Sequence, residues 1–226
     1  MRSIILENID LFDICNVSKL PINMNENPLY MIACNYSTIS RNDILRLNID
    51  GSLEDLYEIS DSSLASYSAD VIFLPWIHFK PVTKYNDVFF DIFRSDTYFE
   101  GQRKRIISLL ESISEHGYSP EKFPSRQSGN ITGYYLKFGD VKKFYVVSGN
   151  HRSAVLSLLY PGQKVNVMFD RKDFLKARDI EGSILSERYD NIFSSEDVET
   201  WPSVRSGFLN SSTAVKILKR YVLGKE

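Results

Sequence analysis

Ser148, Gly149, Asn150, His151 and Arg152 stand together where one apolar run, Phe144-Tyr145-Val146-Val147, gives way to another, Ala154-Val155-Leu156. Histidine and arginine side chains donate to oxyanions, and a glycine lets a ligand approach the backbone or takes positive φ. The first amides of a helix have no partner inside it, and the helix dipole adds partial positive charge at that end. A strand that turns through Gly149 into a helix therefore predicts an anion site, with phosphate as the anion. Ser148 or Asn150 is the expected cap. A purely structural joint would need only the glycine and one cap.

A second polar group lies upstream. From Gln102 to His116 the apolar residues Ile106, Leu109, Leu110 and Ile113 recur at the spacing of one buried helical face, and Gly117 follows where helices commonly stop. At about 100° per residue, Arg105, Ser108 and Ser112 form a narrow stripe beside that face. One cation and two hydroxyls in a row suit a nucleotide, although arginine and serine also occur on plain wet helix surfaces.

The elements that must position these residues follow from the pattern around them. Tyr134-Tyr135-Leu136-Lys137-Phe138 and Lys143-Phe144-Tyr145-Val146-Val147 flank Gly139-Asp140 and predict a hairpin. The helix opened by His151 is expected to bury Val155, Leu158 and Leu159 and to end at Pro161-Gly162, before a strand over Val165-Asn166-Val167-Met168-Phe169. Helix, strand, strand, helix, strand make a compact α+β unit from about residue 101 to 170. Upstream, Pro21 to Pro28 favours turns, and Leu53, Leu56, Tyr57 and Leu64 suggest a helix. Val71-Ile72-Phe73-Leu74 reads as a strand stopped by Pro75 and weakly continued by Trp76 to Phe79, with His78 as a hydrogen-bonded wall residue. Val88 to Phe93 reads as a short aromatic helix or wall. Downstream, Phe174, Ile180, Ile184 and Leu185 give an incomplete helical pattern. Ala214, Ile217, Leu218 and Tyr221 give a firmer one behind the expected caps Ser211 and Ser212, while Trp201 to Arg205 reads as an ordered turn with Trp201 in the core.

Composition narrows the class. The 226 residues, 43% hydrophobic and 25% charged, suffice for a proper core, and a net charge of -2 supplies no broad basic field for nucleic acid. No apolar run reaches the ~18 residues of a membrane span, and the acidic start lacks a secretory pattern, so a cytoplasmic location is expected. Cys15 and Cys34 are too few for a disulfide framework, show no metal spacing to His78, His116 or His151, and read as small core side chains.

The helix Arg105-Ile106-Ile107-Ser108-Leu109-Leu110-Glu111-Ser112-Ile113-Ser114, ending near Gly117, together with Phe144-Tyr145-Val146-Val147-Ser148-Gly149-Asn150-His151-Arg152-Ser153-Ala154, resembles the ParB/sulfiredoxin superfamily over about a third of the chain. The resemblance implies an α+β core of a small mixed sheet with helices over residues 96–170, an N-terminal extension packed on it over 1–95, and a helical C-terminal region over 171–226. It also implies a nucleotide site of Arg105, Ser108, Ser112, Ser148, Gly149, Asn150, His151 and Arg152 that takes ATP or ADP, or CTP, with Mg²⁺.

Departures from the family's motifs sharpen the expectation. Sulfiredoxins place a cysteine where this chain has Asn150, which removes sulfinic-acid reduction. The superfamily's serine kinases carry an Asp in their box where this chain offers Ser148, so a kinase needs another carboxylate. Glu100 is the foremost candidate, beside Asp96 and the weaker Glu115, which makes Glu100 and His151 the expected catalytic pair. Partition proteins carry a Gly-Glu-x-Arg box and a following helix-turn-helix, neither evident here. The expected functions are phosphotransfer from a nucleotide to a small hydroxylated metabolite, an amino acid or a sugar, and nucleotide binding without catalysis. A ParB-like DNA-binding or nuclease protein ranks third.

Overall fold

The computed structural model describes residues 5–10, 14–16, 27–46, 74–80, 95–120, 129–169 and 192–224. Its elements run β1 (Ile5–Asp10), β2 (Ile14–Asn16), α1 (Pro28–Asn35), α2 (Arg41–Leu45), α3 (Asp96–His116), β3 (Ile131–Phe138), β4 (Val141–Ser148), α4 (Asn150–Leu159), β5 (Lys164–Phe169), β6 (Ile192–Ser194), a 3-10 turn (Ser195–Thr200), α5 (Pro202–Arg205) and α6 (Ser211–Leu223). The expected helices at Leu53 to Leu64 and Phe174 to Leu185, the strand residues Val71 to Phe73, and the segment Val88 to Phe93 lie outside the described residues.

The hairpin forms around Gly139-Asp140 as expected, with Phe138 opposite Val141 and an antiparallel ladder back to Thr132 and Ser148. It is the centre of a mixed sheet. In the order β1-β5-β3-β4-β2, β5 runs parallel to β3, β1 runs antiparallel to β5, and β2 runs parallel to β4. The N-terminal segment thus supplies a strand at each end of that order, which its turn-rich sequence does not announce. The C-terminal segment, expected to be helical, also contributes β6, parallel to β3 through Tyr135–Ile192 and Leu136–Phe193.

Both faces of the central hairpin are covered. Successive strand side chains point to opposite faces, so Tyr134, Leu136 and Tyr145 join one core while Tyr135, Phe144 and Val146 join the other. Burial on both sides is why β4 reads as an unbroken apolar run rather than an alternation. The first core gathers Trp76, Trp201 and Phe193 against Ala214, Ile217, Leu218 and Tyr221 of α6, with Trp76 and Trp201 in edge-on contact at 5.8 Å. Trp201 is 1% exposed, the core position expected of it. Asn210, rather than Ser211 or Ser212, caps α6, its side-chain oxygen accepting from the Thr213 amide at 2.8 Å. Ser211 is already the first helical residue and Asn210 holds the extended backbone that a cap requires.

The second core packs α1, α3 and α4 on the other face through Leu29, Ile32, Phe99, Ile106, Ile113, Ala154, Val155 and Leu156. Withdrawing a side chain of this size from water contributes roughly 1.5–3 kcal/mol. α3 starts at Asp96, six residues earlier than its apolar pattern suggests, because Phe99 adds a buried turn one heptad before Ile106. α4 buries Ser153, Ala154, Val155 and Leu156, whereas Leu158 and Leu159 are only half-buried. The small residues Ser153 and Ala154 let the helix lie close, and Ser153 returns its hydroxyl to the Gly149 carbonyl at 3.2 Å.

Trp76 to Phe79 does not prolong a strand. The Leu74 carbonyl accepts the amides of Ile77 and His78, which folds the chain into a turn, and His78 Nδ1 accepts from the Leu74 amide at 3.0 Å. Cys34 is exposed on α1, not a core side chain, because Ile32 and Ala33 occupy the buried side of that turn. Among the described residues, no helix is long and apolar enough to cross a membrane.

Candidate functional site

The joint between β4 and α4 forms as its sequence suggests, and the glycine is indispensable to it. Gly149 is the residue before the first helical turn, at φ 94° in the left-handed region. A Cβ on it would sit 2.9 Å from Ile131 Cα and 3.3 Å from the Asn130 carbonyl oxygen. The start of β3 therefore passes directly against this corner, and a side chain is excluded by sterics as well as by backbone conformation.

Neither expected cap is used. Ser148 ends β4, one residue too early, and Asn150 is already helical, so α4 starts from Gly149 with no side-chain cap among the described residues. α1, α2 and α6 close this end with a side-chain acceptor, Asn27, Ser40 and Asn210, whereas α3 and α5, like α4, have none among the described residues. Asn150 Oδ1 is buried and, among the described residues, has no hydrogen-bond partner.

His151 and Arg152 follow, and α3 brings two residues to them. Gln102 Oε1 accepts from His151 Nε2. Burial first, and then the positive charges of Arg105 and Arg152, push the imidazole from its usual 6.5 down to about 3, so it is neutral at physiological pH. Burial also holds the Arg152 guanidinium below its usual range; nearby Tyr118 opposes that shift and Arg105 adds to it. The phenol of Tyr118 in turn accepts from the Ile131 amide at 3.2 Å, tying this neighbourhood to the strand that presses on Gly149. A chain of net charge -2 thus concentrates two guanidinium groups around one helix start. Among the described residues, no carboxylate forms an ion pair with Arg105.

The other expected residues stand differently. Ser108 is exposed and Ser112 half-buried on the same helix as Arg105, and neither bonds to the His151 group. Glu100 lies two positions before Gln102, about 200° around the helix. There its carboxylate pairs with Arg103 at 2.7 Å, and Arg103 also donates to the Tyr36 carbonyl. Asp96 pairs with Arg41 at 2.6 Å. The structure therefore brings Arg105, His151 and Arg152 together and holds Glu100 on another side of α3. Among the described residues, no three His, Cys, Asp or Glu side chains gather as metal ligands.

Two members of the cluster escape the sequence reading, Gln102 and Tyr118. Gln102 had a legible signal: it falls one turn before Ile106 on the apolar face, where a polar side chain must find a buried partner. Tyr118 had none, since it lies beyond the helix stop and reaches the site only through the fold.

Comparison with protein-family models, with curated proteins and with solved structures finds no match for this chain. The resemblance to the ParB/sulfiredoxin superfamily rests on the residues quoted for it.

Proposed function

We propose that this protein binds the phosphate groups of a nucleotide, ATP, ADP or CTP, at the start of α4. The observation that carries the reading is the convergence of Arg105 from α3 and Arg152 from α4 on a helix start whose first amides have no side-chain cap. Two guanidinium groups supply the charge and the planar donors that phosphate oxygens take up, and the amides of α4 add their own donors. The ParB/sulfiredoxin-like motif supports the same assignment for Arg105, His151 and Arg152, with the hydroxyls of Ser108 and Ser112 further along α3.

Binding has more support in the geometry than catalysis. Phosphotransfer to a small hydroxylated metabolite, an amino acid or a sugar, calls for a carboxylate near the acceptor, and Glu100 and Asp96 are each engaged by an arginine. Mg²⁺, which keeps several waters and is commonly held through substrate phosphates, would enter with the nucleotide. A nucleotide-binding module, a sensor or a partner-binding subunit, is the form of the reading that the site favours.

Calorimetry with ATP, ADP and CTP in the presence of Mg²⁺ tests it. Arg152→Ala should weaken binding roughly 10- to 100-fold, the range of one lost charge-assisted contact. Unchanged affinity in that variant removes the site, and turnover of nucleotide with pooled metabolites would turn the reading toward phosphotransfer.

A further inference from the structure

The His151 side chain makes one hydrogen bond among the described residues, and the partner is the carboxamide oxygen of Gln102. With the carboxamide oxygen facing the ring, and an amide oxygen only accepting, the proton of the neutral ring sits on Nε2. Nδ1 is then a lone-pair acceptor. The partner comes from a different helix, α3, which the buried residues Ile106 and Ile113 hold in the same core as Ala154, Val155 and Leu156 of α4. The contact is therefore built into the helix pair rather than being a chance meeting of two surface side chains.

We propose that Gln102 is the positioning residue of this site: it fixes the Nε2–H tautomer of His151 and leaves Nδ1 as an acceptor for a ligand O–H or N–H. The proposal rests on the nucleotide reading and extends it. The two guanidinium groups take the oxyanion, while His151 contributes a neutral acceptor instead of a third positive charge. The buried Asn150 Oδ1, without a partner among the described residues, is a second acceptor at the same helix start. The ligand class that fits is a phosphate-bearing molecule that presents a hydroxyl or amine donor beside its phosphate, in preference to a bare polyanion. Arg105 on α3 and Arg152 on α4 are the charged groups whose field acts on the ring, and both oppose its protonation.

Nitrogen NMR of the imidazole rings tests this directly, because the chain has only three histidines and the two tautomers give distinct cross-peak patterns. The wild-type protein should show His151 protonated on Nε2 alone at neutral pH. Gln102→Leu should release that tautomer and weaken ADP binding roughly fivefold, the effect of one hydrogen bond of about 1 kcal/mol. Gln102→Glu keeps the side-chain shape and serves if the leucine variant does not fold. Its carboxylate should raise the ring's pKa by roughly one to three units relative to wild type. A wild-type ring protonated on Nδ1, ring signals unaltered in both variants, or ADP affinity unaltered in Gln102→Leu overturns the proposal. If the wild-type protein binds no ADP, the nucleotide reading fails alone, and the tautomer measurement still decides the role of Gln102.

Discussion

The neutral imidazole of His151 has a consequence for stability that can be worked out from its surroundings. In the unfolded chain a histidine titrates near 6.5, whereas in the folded protein burial, Arg105 and Arg152 hold this ring at about 3. Between those values the unfolded state binds a proton that the folded state refuses, so the contribution is full above pH 6.5 and is lost as pH falls toward 3. Each unit of difference corresponds to about 1.4 kcal/mol, which sets a ceiling of about 5 kcal/mol across the window and of about 3 kcal/mol by pH 4. Replacing His151 by Gln keeps a hydrogen-bonding side chain but removes the titration. Urea unfolding of both proteins at intervals from pH 7.5 to 4 should show the wild type losing stability faster than His151→Gln, the difference approaching 1.4 kcal/mol per unit below pH 6. Carboxylates also titrate at the acid end, but they do so in both proteins and cancel in the comparison. Parallel stability curves would refute the argument, as would an NMR titration that finds the His151 ring charging near pH 6.

Other perturbations test the architecture. Gly149→Ala should destabilise by at least 1–3 kcal/mol in urea unfolding, since the residue sits at φ 94° and its new methyl would meet Ile131 Cα at 2.9 Å. Gly133→Ala should be worse and leave little soluble protein on expression, because its Cβ would fall 2.0 Å from the Tyr145 carbonyl oxygen at the bulge between the central strands. Trp76→Phe should cost about 1 kcal/mol more than Trp201→Phe by thermal unfolding. Both rings are buried, but the Trp76 indole N–H donates to Tyr134 Oη at 3.1 Å, whereas that of Trp201 has no partner among the described residues.

The sequence by itself determined the pieces whose information is local. Gly139-Asp140 between two apolar runs specified the hairpin, and Gly149 between a strand and a helix specified the corner. The spacing of Ile106 and Ile113 specified the buried face of α3. In each case the deciding interaction links residues within a few positions of one another, so residue type and interval suffice. Tertiary structure decided what depends on partners distant in the chain. Short N-terminal segments became the strands at both ends of the sheet order because β5 and β4 offered open edges, a choice that strand propensity alone does not make. Helical periodicity puts Gln102 on the apolar face and Glu100 off it, but only the packing of α3 against α4 brings Gln102 onto His151 and leaves Glu100 to Arg103. The protonation state of His151 was settled the same way, since it depends on how far the fold removes the ring from water and how near it brings two arginines, and neither distance is written in the order of residues.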